Sequence, residues 1–208
     1  MLILGLLSQK PLAFSDIRKL TGLKDASVSH YVRKLIGLGL LRKTDIGTYK
    51  LVYKVPFCYL HDCRRYTYIG LLGYRCERME PEPITSIKIL EENGYSISGA
   101  YILTTKSAYS GWEKTLLDMF EVTFIADKDL LSIPTIEKKI ERIVLSEYKK
   151  NPIILDCTAL TKTATIAMYN IAKKYMIPLI YIYENTKEYY WVISIEDIRS
   201  ELKSIFEH

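Results

Sequence analysis

One stretch of the chain, 151–183, has the pattern of a strand, a polar turn, a helix and a second strand. The run 153–155 is short and apolar, as in a strand that is buried on both faces of a parallel sheet. Apolar residues recur at helical spacing within 161–175, and Pro178 then precedes a second apolar run, 179–183. This order of elements predicts an α/β domain with a parallel sheet.

The polar turn of this unit combines a carboxylate, hydroxyl groups and a lysine. Its candidate binding residues are Asp156, Thr158, Thr161, Lys162 and Thr163. In open α/β sheets, ligands bind outside the carboxyl ends of the strands, where the amides of a following helix favour anions. We therefore expect a phosphate-containing ligand here. The alternative is an ordinary turn with a capping threonine and a solvated lysine.

The run TALTK (158–162) resembles the Thr-Gly-Gly-Thr-Lys turn of the CRISPR-associated Rossmann-fold (CARF) domains, with Ala159 and Leu160 in place of the two glycines. The stretch from about 66 to 190 resembles such a domain as a whole. The resemblance implies that the chain senses a cyclic oligoadenylate, and cyclic tetra-adenylate is the ligand we expect.

Two further strand ends contribute to the expected ligand site. In CARF domains, the loop after the first strand faces the ligand together with the lysine turn, and the first strand is predicted here at 66–73. The second strand is predicted at 100–105 and ends in hydroxyl groups. The ligand-binding residues expected at these two ends are Gly73, Tyr74, Arg75, Thr104 and Thr105. For Arg75, pairing with nearby surface glutamates is an equally good reading.

The charge of the chain is distributed unevenly. Residues 1–65 contain twelve lysines and arginines against four aspartates, a net charge of +8, whereas the rest of the chain has a net charge of −3. A basic domain joined to a mildly acidic one indicates a nucleic-acid-binding module attached to a module with another task.

The basic part has the pattern of three helices and a β-hairpin. A first short helix ends before Pro11, and Gly22 ends a second helix for which Ser15 is the expected N-cap. Asp25 or Ser27 is expected to cap the third helix. The apolar face of this third helix is expected to contain Val28, Val32, Leu35 and Ile36. A hairpin is predicted at 40–54, with its turn at 45–47.

This arrangement is that of a winged helix-turn-helix, and SVSHYVRKLIGLGLLRK (27–43) resembles the recognition helix and first wing strand of that family. Such a helix fits the major groove of double-stranded DNA, and the wing contacts the flanking backbone. The expected DNA-binding residues are Ser27, Ser29, His30, Arg33, Lys34, Arg42, Lys43 and Lys50. A protein–protein module with solvated charges is the alternative.

The predicted fold class is α/β, with an N-terminal winged helix-turn-helix followed by a Rossmann-like, mostly parallel, doubly wound sheet. The domains are predicted as 1–54 for DNA binding, 55–65 as a connector and 66–208 for ligand sensing. The other elements predicted in the second domain are helices at 83–92, 112–120, 136–148 and 195–206, a strand at 122–126 and an antiparallel strand at 189–194.

The four cysteines do not form the framework of a secreted protein. Cys58, His61, Cys63 and Cys76 match no common zinc module, so we expect neither a metal nor a cofactor. A disulfide between Cys58 and Cys63 is left open. Because no apolar run approaches 18 residues and no signal-peptide pattern is present, we expect a cytoplasmic protein without a membrane partner.

Taken together, these features predict a CRISPR-linked, DNA-binding transcription regulator that responds to cyclic oligoadenylate as a homodimer. The alternative is a ring nuclease that cleaves the same ligand. In that case the ribose 2′-hydroxyl attacks the adjacent phosphate without a metal, and Lys162 stabilises the developing charge. A third reading treats the Rossmann-like domain as a dimerisation platform only.

Overall fold

The computed structural model describes residues 1–63, 65–116, 119–183, 186 and 188–206 of the chain. The helix predicted at 112–120 and the predicted domain end at residue 208 therefore fall partly outside the described residues.

The N-terminal part is a winged helix-turn-helix. Its elements are α1 (Leu2–Gln9), β1 (Leu12–Ala13), α2 (Phe14–Thr21), α3 (Asp25–Gly37), β2 (Leu41–Lys43) and β3 (Thr48–Leu51). The strands form an antiparallel sheet in the order β1-β3-β2, and β1 was not expected from the sequence. Gly22 ends α2 with φ of 66°, a left-handed conformation that favours glycine.

Three local expectations for this domain were wrong. Helix α2 begins at Phe14, one residue before Ser15, and α3 begins after Lys24 rather than after Asp25 or Ser27. Neither helix has a side-chain cap, because no hydroxyl or carboxylate stands at the N-cap positions. Ile36 is 40% exposed, so the apolar face of α3 is narrower than its spacing indicated.

The second domain is built on a twisted sheet with helices packed against it. The strands described are β4 (Arg65–Leu71), β5 (Ser96–Thr104), β6 (Glu121–Phe124), β7 (Ile153–Asp156), β8 (Leu179–Tyr183) and β9 (Glu188–Ile193). The helices described are α4 (Glu82–Glu92), α5 (Lys106–Ser110), α6 (Glu113–Leu116), α7 (Ile133–Glu147), α8 (Lys162–Tyr175) and α9 (Ile195–Phe206). Two 3-10 helices, Phe57–Leu60 and Asp127–Leu131, complete the elements.

The strand order is β6-β5-β4-β7-β8-β9. All neighbouring strands are parallel except β8 and β9, which pair antiparallel as expected for the short connection between them. This is the order of a Rossmann-like sheet, in which the chain starts at a central strand and builds outward in both directions. The predicted fold class is confirmed.

Several predicted boundaries in this domain differ from the structure. Strand β5 starts at Ser96, four residues before the predicted start at 100. Within the predicted helix 112–120, the structure has α6 (Glu113–Leu116), and α5 (Lys106–Ser110) precedes the predicted start. Helix α7 begins at Ile133 with a proline in its first turn, which its missing amide hydrogen permits.

The connector between the two domains is buried and well anchored. The hydroxyl of Tyr59 donates to the carbonyl oxygen of Ile153 (2.6 Å) and accepts from its amide (3.0 Å). Arg199 of α9 donates to the carbonyl oxygen of Tyr59. The buried apolar residues of both domains form one continuous cluster through this segment. The domain limits of 1–54, 55–65 and 66–208 therefore stay a prediction.

No helix within the described part of the chain is long and apolar enough to cross a membrane.

Candidate functional site

The first candidate site lies where the sheet changes direction. Strand β4 has β5 on one side and β7 on the other, so the loops that follow β4 and β7 leave the sheet at its topological switch point. In open α/β sheets, a crevice forms between two such loops, and ligands bind in it. The structure has a cavity of about 260 Å³ at this place.

Five of the ten predicted ligand-binding residues line this cavity. The lining residues are Gly73, Tyr74, Cys76, Arg78, Glu82, Thr105, Ala108, Leu130, Thr158, Ala159, Leu160 and Thr161. Gly73 leaves room for a buried carboxylate, since a Cβ atom at this position would lie 2.9 Å from Oε1 of Glu82. The loops after β4, β5 and β7 thus converge, as the order of the strands led us to expect.

Asp156 holds the turn after β7 instead of facing the cavity. The residue is 2% exposed, and its Oδ1 accepts hydrogen bonds from the amide (2.8 Å) and the hydroxyl of Thr158. Its Oδ2 accepts from the hydroxyl of Tyr68 at 2.6 Å. Burial raises the pKa of Asp156. The expectation that Asp156 contacts a ligand is therefore corrected, because both of its oxygens are engaged beneath the turn.

Thr158 connects this turn to the neighbouring strand. Its hydroxyl oxygen accepts from the amide of Ile182 in β8 at 2.8 Å while donating to Asp156. The hydroxyl is thus used within the protein, although Thr158 lines the cavity. The turn is fixed from both sides, which is the preorganisation that a binding loop requires.

Two residues of the cavity wall have backbone conformations that residues other than glycine rarely adopt. Leu160 has φ of 76° and Cys76 has φ of 44°, and a further non-glycine residue with positive φ in the described chain, Met176, is a helix C-cap. Leu160 therefore has the left-handed backbone conformation that glycine adopts most readily, and it stands at one of the two positions where the CARF turn has glycine. Such backbone strain, typically about 1–3 kcal/mol, concentrates at ligand-binding loops.

The start of α8 faces the same opening. Thr161 is the N-cap, and its hydroxyl oxygen accepts from the amide of Ala164 at 3.3 Å. Lys162, the first residue of the helix, is exposed, lies outside the residues that line the cavity, and forms no salt bridge with another described residue. Thr163 donates to the carbonyl oxygen of Leu130, so it ties α8 to the preceding 3-10 helix instead of lining the cavity.

Hydroxyl groups and one carboxylate form a chain at the edge of the cavity. The hydroxyls of Tyr74 and Ser107 both lie within hydrogen-bond distance of Oδ1 of Asp127, at 3.2 and 2.7 Å. Thr105 lies 2.9 Å from the Ser107 hydroxyl and accepts from the amide of Ala108. The hydrogen bond from Ser107 lowers the pKa of Asp127. Asp127 and Ser107 were missed from the sequence, although each follows a predicted strand end.

The remaining predicted ligand residues lie behind or beside the cavity. Thr104 is fully buried and donates to the carbonyl oxygen of Leu72, which removes it from ligand contact. The guanidinium of Arg75 lies over the ring of Trp112, 5.4 Å from the ring centre, rather than against a glutamate. Arg78 pairs with the buried Glu82 four residues later, and both residues line the cavity.

No group of three or more residues able to hold a metal ion occurs within the described ranges. Cys58, Cys63 and Cys76 are free thiols.

The second candidate site is the outer face of α3 and the wing. A shallow groove on α3 is lined by Ala26, Ser29, His30, Arg33 and Lys34. The side chains of His30, Arg33 and Lys34 are exposed. On the wing, Arg42 and Lys43 of β2 are exposed, whereas Ser27 and Lys50 are half-buried. These cations project from one helix and one hairpin, which is the arrangement with which winged helices contact DNA.

Comparison with known proteins identifies the first domain. Residues 1–43 match the family of bacterial regulatory proteins of the arsR type. Over these residues the chain is similar to an arsR-type helix-turn-helix. The winged helix-turn-helix predicted from the sequence is thus confirmed, with the described wing completing it. A comparison with curated proteins gives no match.

The second domain is similar to parts of larger solved structures. Protein VC1899 from Vibrio cholerae is 9% identical, with a TM-score of 0.50, and the match covers 64% of this chain and 34% of that one. Can2 from Sulfobacillus thermosulfidooxidans, in complex with cyclic tetra-adenylate, is 14% identical with a TM-score of 0.41, covering 61% and 34%. Csm6 from Enterococcus italicus, bound to cyclic hexa-2′-fluoro-hexa-dAMP, is 12% identical with a TM-score of 0.45, covering 67% and 38%.

The similarity to VC1899 shows a shared fold. In each of these three cases, the match spans little more than a third of the solved protein's own length.

Proposed function

We propose that the chain is a cytoplasmic, homodimeric transcription regulator linked to CRISPR defence. It binds double-stranded DNA through its winged helix and senses cyclic oligoadenylate through its Rossmann-like domain. The observation that carries the proposal is the cavity at the switch point, which residues 158–161 of the CARF-like turn help to line, in a chain whose residues 1–43 match the arsR-type family.

The chemistry of the cavity suits a phosphodiester. The amide groups at the start of α8 favour negative charge at one end of the cavity, and the exposed Lys162 follows the lining residue Thr161. Arg78, paired with Glu82, lines the cavity from the loop after β4. The hydroxyls of Tyr74 and Thr105 offer donors and acceptors for ribose or base at the other side.

The size of the cavity supports a dimer. A volume of about 260 Å³ lies just below the range of about 300–1,000 Å³ for sites that enclose one small ligand. One copy of the chain therefore encloses only part of a four-nucleotide ring. Two copies related by a two-fold axis would present two identical turns to a ligand that itself has two-fold symmetry. This is our reason to propose a homodimer with cyclic tetra-adenylate as the shared ligand.

Regulation follows from linkage between the two domains. If the ligand binds one arrangement of the dimer more tightly, it shifts the population toward that arrangement and toward one spacing of the two α3 helices. The buried connector and the continuous core provide the physical path for this coupling.

Ring-nuclease activity is a second candidate, favoured by one observation. Asp127 accepts hydrogen bonds from Tyr74 and Ser107 at the cavity edge, so a charged carboxylate is present to accept a proton from a ribose hydroxyl. Because the pKa of Asp127 is lowered, it is a weak base, which favours slow cleavage over rapid turnover.

The test is incubation of the purified protein with labelled cyclic tetra-adenylate, followed by separation of bound ligand from linear products. Retention of intact ligand supports the sensor, and linear products that depend on Lys162 support the nuclease. Neither binding nor cleavage, with cyclic hexa-adenylate as a second probe, would refute the assignment of the ligand class.

A further inference from the structure

Two thiols lie side by side in the connector, away from both candidate sites. Cys58 belongs to the 3-10 helix Phe57–Leu60, and Cys63 lies five residues after Cys58. The Sγ atom of Cys63 lies 3.0 Å from the carbonyl oxygen of Cys58. The chain therefore turns back so that the Cys63 sulfur lies against the main chain of Cys58, and a hydrogen bond joins the two thiols.

This pair opens onto solvent. A cavity of about 630 Å³ is lined by both cysteines and by the cations Lys54 and Arg65. A hydrogen bond from the Cys58 thiol, assisted by Lys54, lowers the pKa of Cys63, whereas burial raises the pKa of Cys58. Cys63 thus has the character of an attacking thiolate, and Cys58 that of the thiol that follows it.

The loop between the two cysteines contacts both domains. His61 packs against α1, since a Cβ atom at Gly5 would lie 2.9 Å from its Nε2. This nitrogen is buried and has no hydrogen-bond partner among the described residues. On the other side, Asp62 pairs with Arg199 of α9 at 2.8 Å. A shift of this loop would therefore alter its contacts with α1 of the winged helix-turn-helix and with α9 of the second domain.

We propose that Cys58 and Cys63 form a peroxide-responsive dithiol whose closure to a disulfide loosens α1. The thiolate of Cys63 attacks one oxygen of hydrogen peroxide, the O–O bond breaks, and a sulfenic acid and hydroxide form. The sulfur of Cys58 then displaces the hydroxyl group from Cys63, and the proton of Cys58 leaves with it as water. Two thiols and one peroxide give one disulfide and two waters.

Closure disturbs the contact of His61 with α1. To bond with Cys58, the Cys63 sulfur leaves the carbonyl oxygen that it now contacts, and the loop containing His61 tightens. Because the ring of His61 fits closely against Gly5, a shift of the loop weakens this packing. The proposal requires neither DNA nor cyclic oligoadenylate, so it stands or falls apart from the proposed function.

The experiment uses the reduced full chain treated with one equivalent of hydrogen peroxide. Trypsin releases the segment 55–64, bounded by Lys54 and Arg64, with both cysteines in one peptide. We expect this peptide to lose two hydrogen atoms, and dithiothreitol to restore them. Cys63→Ser should form no disulfide. In Cys58→Ala, oxidation should end at a sulfenic acid on Cys63, which dimedone captures. Cys76→Ser should form the Cys58–Cys63 disulfide as the natural chain does.

Amide hydrogen exchange of the same samples tests the coupling. We expect faster exchange across Leu2–Gln9 in the oxidised chain than in the reduced chain, with no such change in Cys63→Ser. Oxygen addition to peptide 55–64 without closure, or preferential oxidation of the exposed Cys76, would overturn the dithiol. Closure with unchanged exchange in α1 would overturn its link to the winged helix.

Discussion

Removal of one buried hydroxyl, in Tyr68→Phe, tests how the turn after β7 is held in place. Tyr68 is fully buried in β4, and its hydroxyl donates to Oδ2 of Asp156 at 2.6 Å. Asp156 is also buried, and its other oxygen is occupied by Thr158. The substitution keeps the ring and removes only the donor, so the carboxylate loses its partner on one side.

The expected cost follows from the charge of the acceptor. A hydrogen bond to a charged group contributes about 1.5–3 kcal/mol, roughly twice the value for a neutral pair. We expect Tyr68→Phe to lower the free energy of unfolding by about 2 kcal/mol at neutral pH. For a chain of this size, each kcal/mol lowers Tm by about 2–4 °C, so the expected shift is about 4–8 °C.

The stability difference between Tyr68→Phe and the natural chain should depend on pH. Burial raises the pKa of Asp156 in the folded state, so its contribution to stability is fully present below its unfolded pKa and is lost as pH rises through its folded pKa. Without the Tyr68 donor, the folded pKa rises further. The difference between the two proteins should therefore shrink as pH falls through that range and protonates the carboxyl.

Denaturant unfolding across a pH series measures this difference. Tyr169→Phe is the matched control, because Tyr169 is 43% exposed on α8 and its loss of a hydroxyl should change stability by less than about 0.5 kcal/mol. If Tyr68→Phe is as stable as the natural chain at neutral pH, or its deficit does not depend on pH, the proposed support of the turn by an ionised Asp156 is wrong.

Three further predictions concern the sites and the assembly. Replacing Arg33 and Lys34 together by alanine should weaken DNA binding. The slope of log affinity against log salt concentration, measured by mobility shifts across a salt series, should become less steep by about one for each lost phosphate contact. An unchanged slope would argue against contact of these residues with DNA. Lys162→Ala should weaken binding of cyclic tetra-adenylate about tenfold to a hundredfold by calorimetry, with Tm unaltered, whereas Lys173→Ala at the far end of α8 should bind normally. Light scattering at micromolar concentration should give twice the 24.1 kDa chain mass, and the monomer mass at all concentrations would contradict the dimer.

The strand–turn–helix–strand unit was well predicted because its periodicities change sharply. The run 153–155 became Ile153–Asp156, and the helix expected from 161 became Lys162–Tyr175. Two of the shortest elements of the structure were not predicted from the sequence. Strand β1 has two residues and helix α5 (Lys106–Ser110) has five, so neither is long enough to show a periodicity, and neither was predicted.

The candidate site was predicted in place but not in detail. Parallel strand ends meet at one edge of a sheet, so the convergence of the loops with Gly73 and Thr158 followed from the order of the elements. Whether a polar side chain faces the cavity depends on distant partners. Asp156 is held by Tyr68, which lies 88 residues earlier in the chain, and no local pattern marks that pairing.

The most direct test of the proposed regulator is its affinity for promoter DNA with and without cyclic tetra-adenylate. DNA binding is measured at constant salt while the ligand is raised to saturation, in the natural chain and in Lys162→Ala. Allosteric coupling typically changes affinity about fivefold or more. We expect such a change in the natural chain and its loss in Lys162→Ala at the same ligand concentration. Equal DNA affinity with and without saturating ligand, in a chain shown to bind both, would contradict a ligand-responsive regulator.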